Sequence, residues 1–319
     1  MTDAARVFTL LAGVGLLLLL AAPGPCRADL VVNEDLGGIS FGTVVLAGDT
    51  ADGANNADWY LNTAVPDGNW GNEYVYRFEL TSPALLGVTL YEADGDPDVF
   101  LLDSLATAPM GGKTAATGDL AFAEVDGDLP DTGAFGLFRA GTYYLSIDAF
   151  TDFDPPPAVP ASTTFDLDLI ALESTPPEDS VDLGRLAVEG EAFTIDTLGS
   201  DFDTILGVYD RDGFLLQEAD DIDDITLQSE LDFPSGLAAG EYYVALAGFE
   251  TTFTDAFIVF PELDSEGGAY ELNHPAGTTT GTLATGESQW FRFSVAVPEP
   301  SAGVLLLIAA GLAIHALRR

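Results

Sequence analysis

The chain has 319 residues, and its 52 acidic residues outnumber its 10 lysines and arginines, which gives a formal net charge of −42. A surface this acidic repels nucleic acids and anionic lipids, so neither is expected as a partner. The composition is 47% hydrophobic and 10% aromatic, which argues against a disordered chain, because disorder needs low hydrophobicity beside high charge.

The N-terminus has the pattern of an export signal. Arg6 is the one basic residue before an apolar run at residues 8–22, which a Pro-Gly-Pro sequence ends. Cys26 and Ala28 are small residues at the −3 and −1 positions of a cleavage site. The pattern predicts a signal helix within residues 1–28, removed by signal peptidase after Ala28. Cleavage there removes the only cysteine, so the exported protein has no disulfide.

Short β-rich runs bounded by Gly, Pro, Asp and Asn fill the exported part of the chain. At residues 74–80 alternate positions, from Tyr74 to Leu80, are apolar and face one way. Strands are predicted at residues 44–46, 74–80, 86–91, 98–102, 142–148, 164–170, 192–196, 204–209, 214–217, 241–247, 257–260 and 269–272. This spacing is typical of antiparallel β-sandwiches.

An internal repeat divides these strands into two halves. The sequence Arg-Ala-Gly-Thr-Tyr-Tyr-Leu-Ser-Ile at residues 139–147 matches Ala-Ala-Gly-Glu-Tyr-Tyr-Val-Ala-Leu at residues 238–246, and residues 96–103 match residues 201–210. We therefore predict an all-β chain with two tandem, jelly-roll-like antiparallel sandwich domains, at residues 29–173 and 178–296. The signal helix precedes them, and a C-terminal transmembrane helix within residues 297–319 follows.

The second half resembles the bacterial pre-peptidase C-terminal domain, a small β-sandwich. The resemblance lies in Phe-Asp-Thr-Ile-Leu-Gly-Val-Tyr-Asp at residues 202–210, followed by Asp-Gly-Phe-Leu-Leu at residues 212–216. It covers about residues 180–272, and the first half departs from it. Residues 281–294 resemble the opening strand of such a domain, and they are either a fragment of a third copy or a strand that completes the second.

The C-terminal tail combines a break, an apolar run and terminal arginines. Two prolines in Val297-Pro298-Glu299-Pro300 prevent helix and sheet pairing, so this segment is an extended linker. The apolar run at residues 301–317 would span roughly 25 Å as a helix, against about 30 Å for a hydrocarbon core. Arg318 and Arg319 would lie at the inner face of the membrane.

This order resembles the PEP-CTERM sorting signal of Gram-negative bacteria. The resemblance implies that a membrane enzyme, exosortase, cleaves near Pro298-Glu299-Pro300 and passes the protein to the cell exterior. Until then the tail would hold the chain in the inner membrane. The alternative is an ordinary C-terminal anchor that stays in place.

Dense acidic turns are the candidate metal ligands. Ca²⁺ takes six to eight oxygen ligands, and acidic loops supply them. Solvated turns are the alternative, because Asp and Gly favour turns in any case. No stretch completes an EF-hand loop. The candidate Ca²⁺ ligands are Asp94, Asp96, Asp98, Asp201, Asp203, Asp210, Asp212, Asp220 and Asp221.

No set of residues predicts catalysis. His274 is the one histidine outside the tail, the exported part has no cysteine, and no phosphate loop or His-Glu-x-x-His sequence is present. Trp59, Trp70 and Trp290 are candidates for a sugar-stacking surface. For the repeated Tyr-Tyr pairs, we expect one ring in the core and the other on the opposite strand face.

We therefore expect an exported, non-enzymatic protein of the cell surface or extracellular matrix. Its partners would be signal peptidase and exosortase, and Ca²⁺ would stabilise it. The association of PEP-CTERM tails with exopolysaccharide and biofilm implies a matrix role. The alternatives are a glycan-binding module, or a secreted hydrolase or its accessory domain.

Overall fold

A computed structural model describes residues 29–57, 59–61, 71–110, 113–116, 119–123, 130–150, 161–222, 226–262 and 265–298. The predicted signal peptide with Ala28, the residues Glu299 and Pro300, and the predicted transmembrane helix lie outside these ranges. Within them no helix is long and apolar enough to cross a membrane.

The described chain is all-β, as the alternating apolar pattern predicts. Every predicted strand overlaps an observed one. The first half contains β1 (Val32–Ile39), β2 (Gly42–Asp49), β3 (Trp59–Tyr60), β4 (Glu73–Leu80), β5 (Ala84–Ala93), β6 (Pro97–Leu102), β7 (Thr107–Met110), β8 (Lys113–Ala116), β9 (Asp119–Ala123), β10 (Asp131–Phe138), β11 (Gly141–Ala149) and β12 (Thr164–Leu172), with a 3₁₀ turn at Thr50–Asp52.

The second half continues the pattern after a strand-free segment at residues 173–180. It contains β13 (Val181–Val188), β14 (Phe193–Asp196), β15 (Thr204–Asp210), β16 (Leu215–Ala219), β17 (Glu230–Phe233), β18 (Gly240–Gly248), β19 (Thr251–Thr254), β20 (Ile258–Pro261), β21 (Gly268–His274), β22 (Gly277–Leu283) and β23 (Ser288–Ala296).

Each half forms a five-stranded and a four-stranded sheet that share one core. In the N-terminal sheet pair the orders are β1-β4-β11-β6-β9 and β10-β5-β12-β2. In the C-terminal sheet pair they are β13-β23-β18-β15-β16 and β17-β14-β21-β22. The two main apolar clusters each draw on both sheets of one pair, and neither contains residues of the other pair. This separation is what two sandwich-like units require.

Smaller sheets cover the outer face of each five-stranded sheet. The sheet β3-β8-β7 accompanies a second apolar cluster around Tyr60 and Phe100 in the first half. In the second half the hairpin β19-β20 covers Tyr209, Tyr243 and Trp290. Both faces of the central strands of these sheets, such as β6, β11, β15 and β18, are therefore mostly buried, which explains why these strands are more uniformly apolar than the edge strands.

The prediction of wholly antiparallel sheets is wrong at one edge of each pair. Strand β1 pairs with β4 in parallel, and β13 pairs with β23 in parallel. In both cases the chain leaves the edge strand for the opposite sheet before it returns to the partner strand. A connection through the second layer allows parallel pairing, whereas a short hairpin would force antiparallel pairing.

The two sheet pairs have the same layout but a different strand order along the chain. Strands β22 and β23 occupy the places that β2 and β4 occupy in the N-terminal pair. Apart from the first edge strand, the remaining strands follow one cyclic order that is cut at a different point. Residues 281–294 therefore complete the second sheet pair and are not a third copy.

Matching side-chain contacts support this equivalence. Arg77 pairs with Asp35 at 2.8 Å, and Arg292 pairs with Asp182 at 3.1 Å. Each aspartate also accepts a hydrogen bond from the backbone N–H two residues later, at a glycine with positive φ. The same turn and ion pair thus anchor the parallel edge strand in both halves.

Candidate functional site

Three of the predicted ligands meet at one edge of the C-terminal sheet pair. Asp203 lies directly before β15, and Asp220 and Asp221 directly follow β16. These strands are antiparallel neighbours, with Leu206 opposite Ala219, so the start of one lies beside the end of the other. One carboxylate oxygen from each residue lies within 4.8 Å of the others. Among the described residues these three form the one such group, which we call the Asp203 cluster.

Glu266 is a fourth carboxylate beside this cluster. Its Oε2 accepts a hydrogen bond of 3.1 Å from the backbone N–H of Asp203. Together with Gln228 and Ser200 it lines an open depression of about 310 Å³ next to Asp203. No local sequence pattern predicts Glu266 as part of this group, because it lies 63 positions from Asp203 along the chain.

The backbone around Asp203 is held firmly by neighbouring strands. Its carbonyl accepts a hydrogen bond of 3.1 Å from the N–H of Phe249. The next residue, Thr204, is fully buried and shares a hydroxyl network with Thr197 and Ser229. The position of the Asp203 carboxylate is therefore set by the packing beneath it.

The Asp203 carboxylate is in an unfavourable environment for a negative charge. Its Oδ1 is buried and has no hydrogen-bond partner among the described residues. Burial, followed by the charges of Asp221, Asp220 and Glu266, raises the pKa of Asp203 to about 6. Burial and the charges of Asp221 and Glu218 also raise the pKa of Asp220. A bound cation would supply the missing partner and offset this repulsion.

The carboxylates fit a hard cation better than a transition metal. All the side-chain ligands in reach are oxygens, which suits Ca²⁺, whereas transition metals favour imidazole or thiolate. Asp203, Asp220 and Asp221 would supply the carboxylate ligands, with Glu266 as a further donor beside them. A buried carboxylate oxygen without a partner is the observation that makes the fit specific.

The other predicted ligands of the second half lie elsewhere. Asp201 is exposed and outside the cluster. Asp210 and Asp212 face a cationic group of the protein itself, because Arg139 lies 2.9 Å and 3.8 Å from their carboxylates. Asp210 also accepts hydrogen bonds from the N–H groups of Asp212 and Phe214. These contacts explain the acidic turn without a metal.

The acidic turn of the first half is divided between different partners. Asp94 accepts a hydrogen bond of 2.6 Å from the N–H of Thr164, which is the main cause of its lowered pKa. Asp98 lies within β6, opposite Asp148. The carbonyl of Asp96 accepts a hydrogen bond from Phe150, as that of Asp203 does from Phe249, so Asp96 is the structural equivalent of Asp203. The segment after β9, where the equivalents of Asp220 and Asp221 would follow, is outside the described residues.

His274 ends β21 and is half-buried at the turn to β22. Its Nε2 lies 3.2 Å from the hydroxyl of Thr279, and burial lowers its pKa. Asn273 beside it donates hydrogen bonds to Asp196 and Leu198. The described contacts of His274 therefore belong to a hairpin turn, and none of them is with a serine hydroxyl or a carboxylate.

The aromatic residues mostly serve packing. Tyr143 and Tyr242 face the main cores and donate hydrogen bonds to the carbonyls of Arg139 and Ala238. Tyr144 and Tyr243 pack on the opposite faces, which confirms the predicted division of each pair. Trp290 packs against Tyr209 and Phe257 under the β19-β20 hairpin. The side chain of Trp59 and all of Trp70 lie outside the described residues.

Comparison with known proteins finds no matching protein-family model and no matching curated protein.

The raised pKa of Asp203 predicts a pH-dependent stability difference in the metal-free protein. Because folding raises the pKa of this acid, its charged form destabilises the fold above pH 6, and the cost disappears as the pH falls towards 4. In chelator at pH 7, Asp203→Asn should raise the free energy of unfolding by about 1 kcal/mol, discounted for partial exposure. Chemical denaturation at pH 7 and pH 4 measures the change.

The gain should shrink at pH 4, where the wild-type carboxyl is neutral in the folded protein and about half protonated in the unfolded chain, so that most of the charge-related cost is gone. Asp232→Asn is the matched control, because Asp232 is exposed on β17 away from the cluster. A gain that is independent of pH, or a loss of stability at pH 7, would contradict the assigned environment of Asp203.

Proposed function

We propose that this chain is an exported, non-enzymatic surface or extracellular-matrix protein whose C-terminal sheet pair binds Ca²⁺ at the Asp203 cluster. The observation that carries the calcium proposal is the buried, unpartnered Oδ1 of Asp203 beside two further carboxylates. A folded chain with so large a charge excess gains stability when a divalent cation neutralises its most crowded acids.

Ca²⁺ bound there would connect three separate parts of the C-terminal sheet pair. Asp203 belongs to the start of β15, Asp220 and Asp221 to the segment after β16, and Glu266 to the segment before β21. In this proposal the cation has a structural role. It holds the start of β15 and the end of β16 together at the sheet edge, and it fixes the start of the connection that leads from β16 to β17.

Export and sorting form the second part of the proposal. The chain would leave the cytoplasm through its N-terminal signal, remain in the inner membrane by its tail, and be released near Pro298-Glu299-Pro300 by exosortase. The position of the junction supports this order. Strand β23 ends at Ala296, whose carbonyl accepts a hydrogen bond from Glu189, and Val297 is 69% exposed. The described part of the junction is therefore accessible immediately beyond the last strand.

The division into two sandwich domains, of which the second resembles the pre-peptidase C-terminal domain and the first departs from it, belongs to the same proposal. Separate cores and one repeated layout support it. Tandem sandwiches with covered outer faces suit a structural or spacer role at the cell surface. Association with exopolysaccharide follows from the resemblance of the tail, as an analogy.

Calcium binding should stabilise the wild-type chain and leave Asp203→Asn unaffected. Ligand at a hundredfold excess over its Kd adds about 2.7 kcal/mol to the free energy of unfolding. Mg²⁺ should add less, because it demands octahedral geometry and dehydrates reluctantly. Thermal unfolding of the purified chain in Ca²⁺, Mg²⁺ or chelator measures these differences.

Asp232→Asn serves as the control and should keep the full gain in Ca²⁺. Asp203→Asn has a distinctive signature, since it should stabilise the metal-free protein and abolish the response to Ca²⁺. If Ca²⁺ raised the free energy of unfolding of the wild type and of Asp203→Asn equally, the Asp203 cluster would not be the stabilising calcium site.

Sorting should depend on the proline-rich linker of the tail. Replacing Pro298-Glu299-Pro300 with three alanines should leave the chain in the membrane fraction of its native host, because the cleavage motif is lost while the apolar run remains. Cell fractionation and immunoblotting of the released protein measure this. The matched control is alanine replacement of Pro176, Pro177 and Glu178, a similar sequence far from the tail. Release of both variants at the wild-type rate would contradict the proposed route.

A further inference from the structure

One arginine connects the two sheet pairs. Arg139 lies in the turn between β10 and β11, and its Nη2 lies 2.9 Å from Oδ2 of Asp210 in the C-terminal sheet pair. Its Nη1 lies 3.8 Å from Asp212, and its guanidinium carbon lies 3.8 Å from the centre of the Phe214 ring. A single side chain thus makes two ionic contacts and one cation–π contact across the boundary.

The acceptor side of this contact is held in place by hydrogen bonds that do not involve the arginine. Oδ1 of Asp210 accepts hydrogen bonds of 3.0 Å from the N–H groups of both Asp212 and Phe214. Gly213 in the same turn has a φ of +93°, a backbone conformation that residues other than glycine rarely adopt. The Asp210 side chain is only 18% exposed. The turn therefore presents Oδ2 in a fixed direction to the Arg139 side chain, which is itself 56% exposed.

The donor side is anchored as well. The carbonyl of Arg139 accepts a hydrogen bond of 2.9 Å from the hydroxyl of Tyr143, which packs on the N-terminal core. In the C-terminal sheet pair the equivalent tyrosine, Tyr242, bonds to the carbonyl of Ala238. The arginine is therefore an addition to a turn that both halves share, and only the first half has it.

The charge of the two halves opposes their close approach. Residues 29–173 and residues 178–296 each contain 25 acidic and 3 basic residues, a formal charge of −22 each. Two bodies of equal sign repel, and the connecting segment contributes no strand to either. A fixed relative orientation needs an attractive contact that offsets this repulsion.

We propose that Arg139 is the latch that holds the two sheet pairs in one relative orientation. Without it the sheet pairs separate and vary their orientation about residues 173–180, although each keeps its own core. The latch is independent of calcium binding and of the sorting route.

The test measures distances between two spin labels, one on each sheet pair. Cys26 is the only native cysteine, so the full chain carrying Cys26→Ser accepts two new labels without interference. Val45 and Phe260, which are 71% and 57% exposed, are the labelling positions. Pulsed electron–electron double resonance should give one narrow distance distribution for the doubly labelled protein that retains Arg139. Arg139→Gln should broaden the distribution at least twofold and move its mean to longer distances.

Arg211→Gln is the matched control, because Arg211 contacts Asp212 from within the same sheet pair at 3.4 Å. Its distance distribution should remain narrow. Circular dichroism and melting temperature check that each variant is folded, and a folded Arg139→Gln protein is expected. The proposal is overturned if the Arg139→Gln protein gives the same distance distribution as the labelled protein that retains Arg139. It is also overturned if Arg211→Gln broadens the distance distribution as much as Arg139→Gln does.

Discussion

The excess of carboxylates over cationic groups is the constraint on which the described structure depends. Residues 29–296 contain only five arginines, and three of them make ion pairs that join separate strands or the two sheet pairs. Arg77 and Arg292 hold the parallel edge strands through Asp35 and Asp182, and Arg139 bridges the two sheet pairs. At Asp203, where none of the described arginines forms an ion pair, acids lie close together and the pKa of Asp203 rises. Protonation relieves this repulsion below about pH 6, and in our proposal a bound cation relieves it at neutral pH.

Packing supplies the stability that this charge distribution removes. Each sheet pair has a main core between its sheets and a second cluster on the outer face of the five-stranded sheet. With both faces buried, strands such as β11 and β18 contribute apolar groups in two directions. Because Cys26 is the only cysteine, the chain forms no internal disulfide and depends on burial of this extent.

Much of the fold could be predicted from alternation and repetition. Apolar residues at every second position predicted strands such as β4 and β12. The repeated Ala-Gly-x-Tyr-Tyr sequence predicted β11 and β18. The edge strands β1 and β13 were missed, because glycines and charged residues interrupt their apolar alternation. Their parallel pairing depends on the path through the opposite sheet, and no local pattern records such a path.

The strand order of the two halves explains a second limit. A search for repeats compares segments in chain order, but the pair β22-β23 stands at the end of its unit while β2 and β4 stand near the start of theirs. The sequence of residues 281–294 therefore shows the similarity to an opening strand. It does not show where in the second sheet pair this strand lies. Three-dimensional pairing decided it, since β23 lies between β13 and β18.

The candidate site was predicted in part. Composition identified Asp203, Asp220 and Asp221 as acids in dense turns, but it could not separate them from Asp210 and Asp212. The separation depends on long-range neighbours: Arg139 reaches Asp210 from 71 residues away, whereas Glu266 adds a further charge beside Asp203. Turn composition predicts where acids collect, and tertiary contacts decide which of them have a partner.

Anomalous X-ray diffraction from crystals of the chain grown with Ca²⁺ would show whether the Asp203 cluster holds the ion. We expect one strong anomalous peak within coordination distance, about 2.3–2.6 Å, of carboxylate oxygens of Asp203, Asp220 and Asp221. Crystals of Asp203→Asn should lack that peak under the same conditions. A calcium peak at Asp210 and Asp212 with none at Asp203, or no peak at either place, would show that the Asp203 cluster does not bind Ca²⁺.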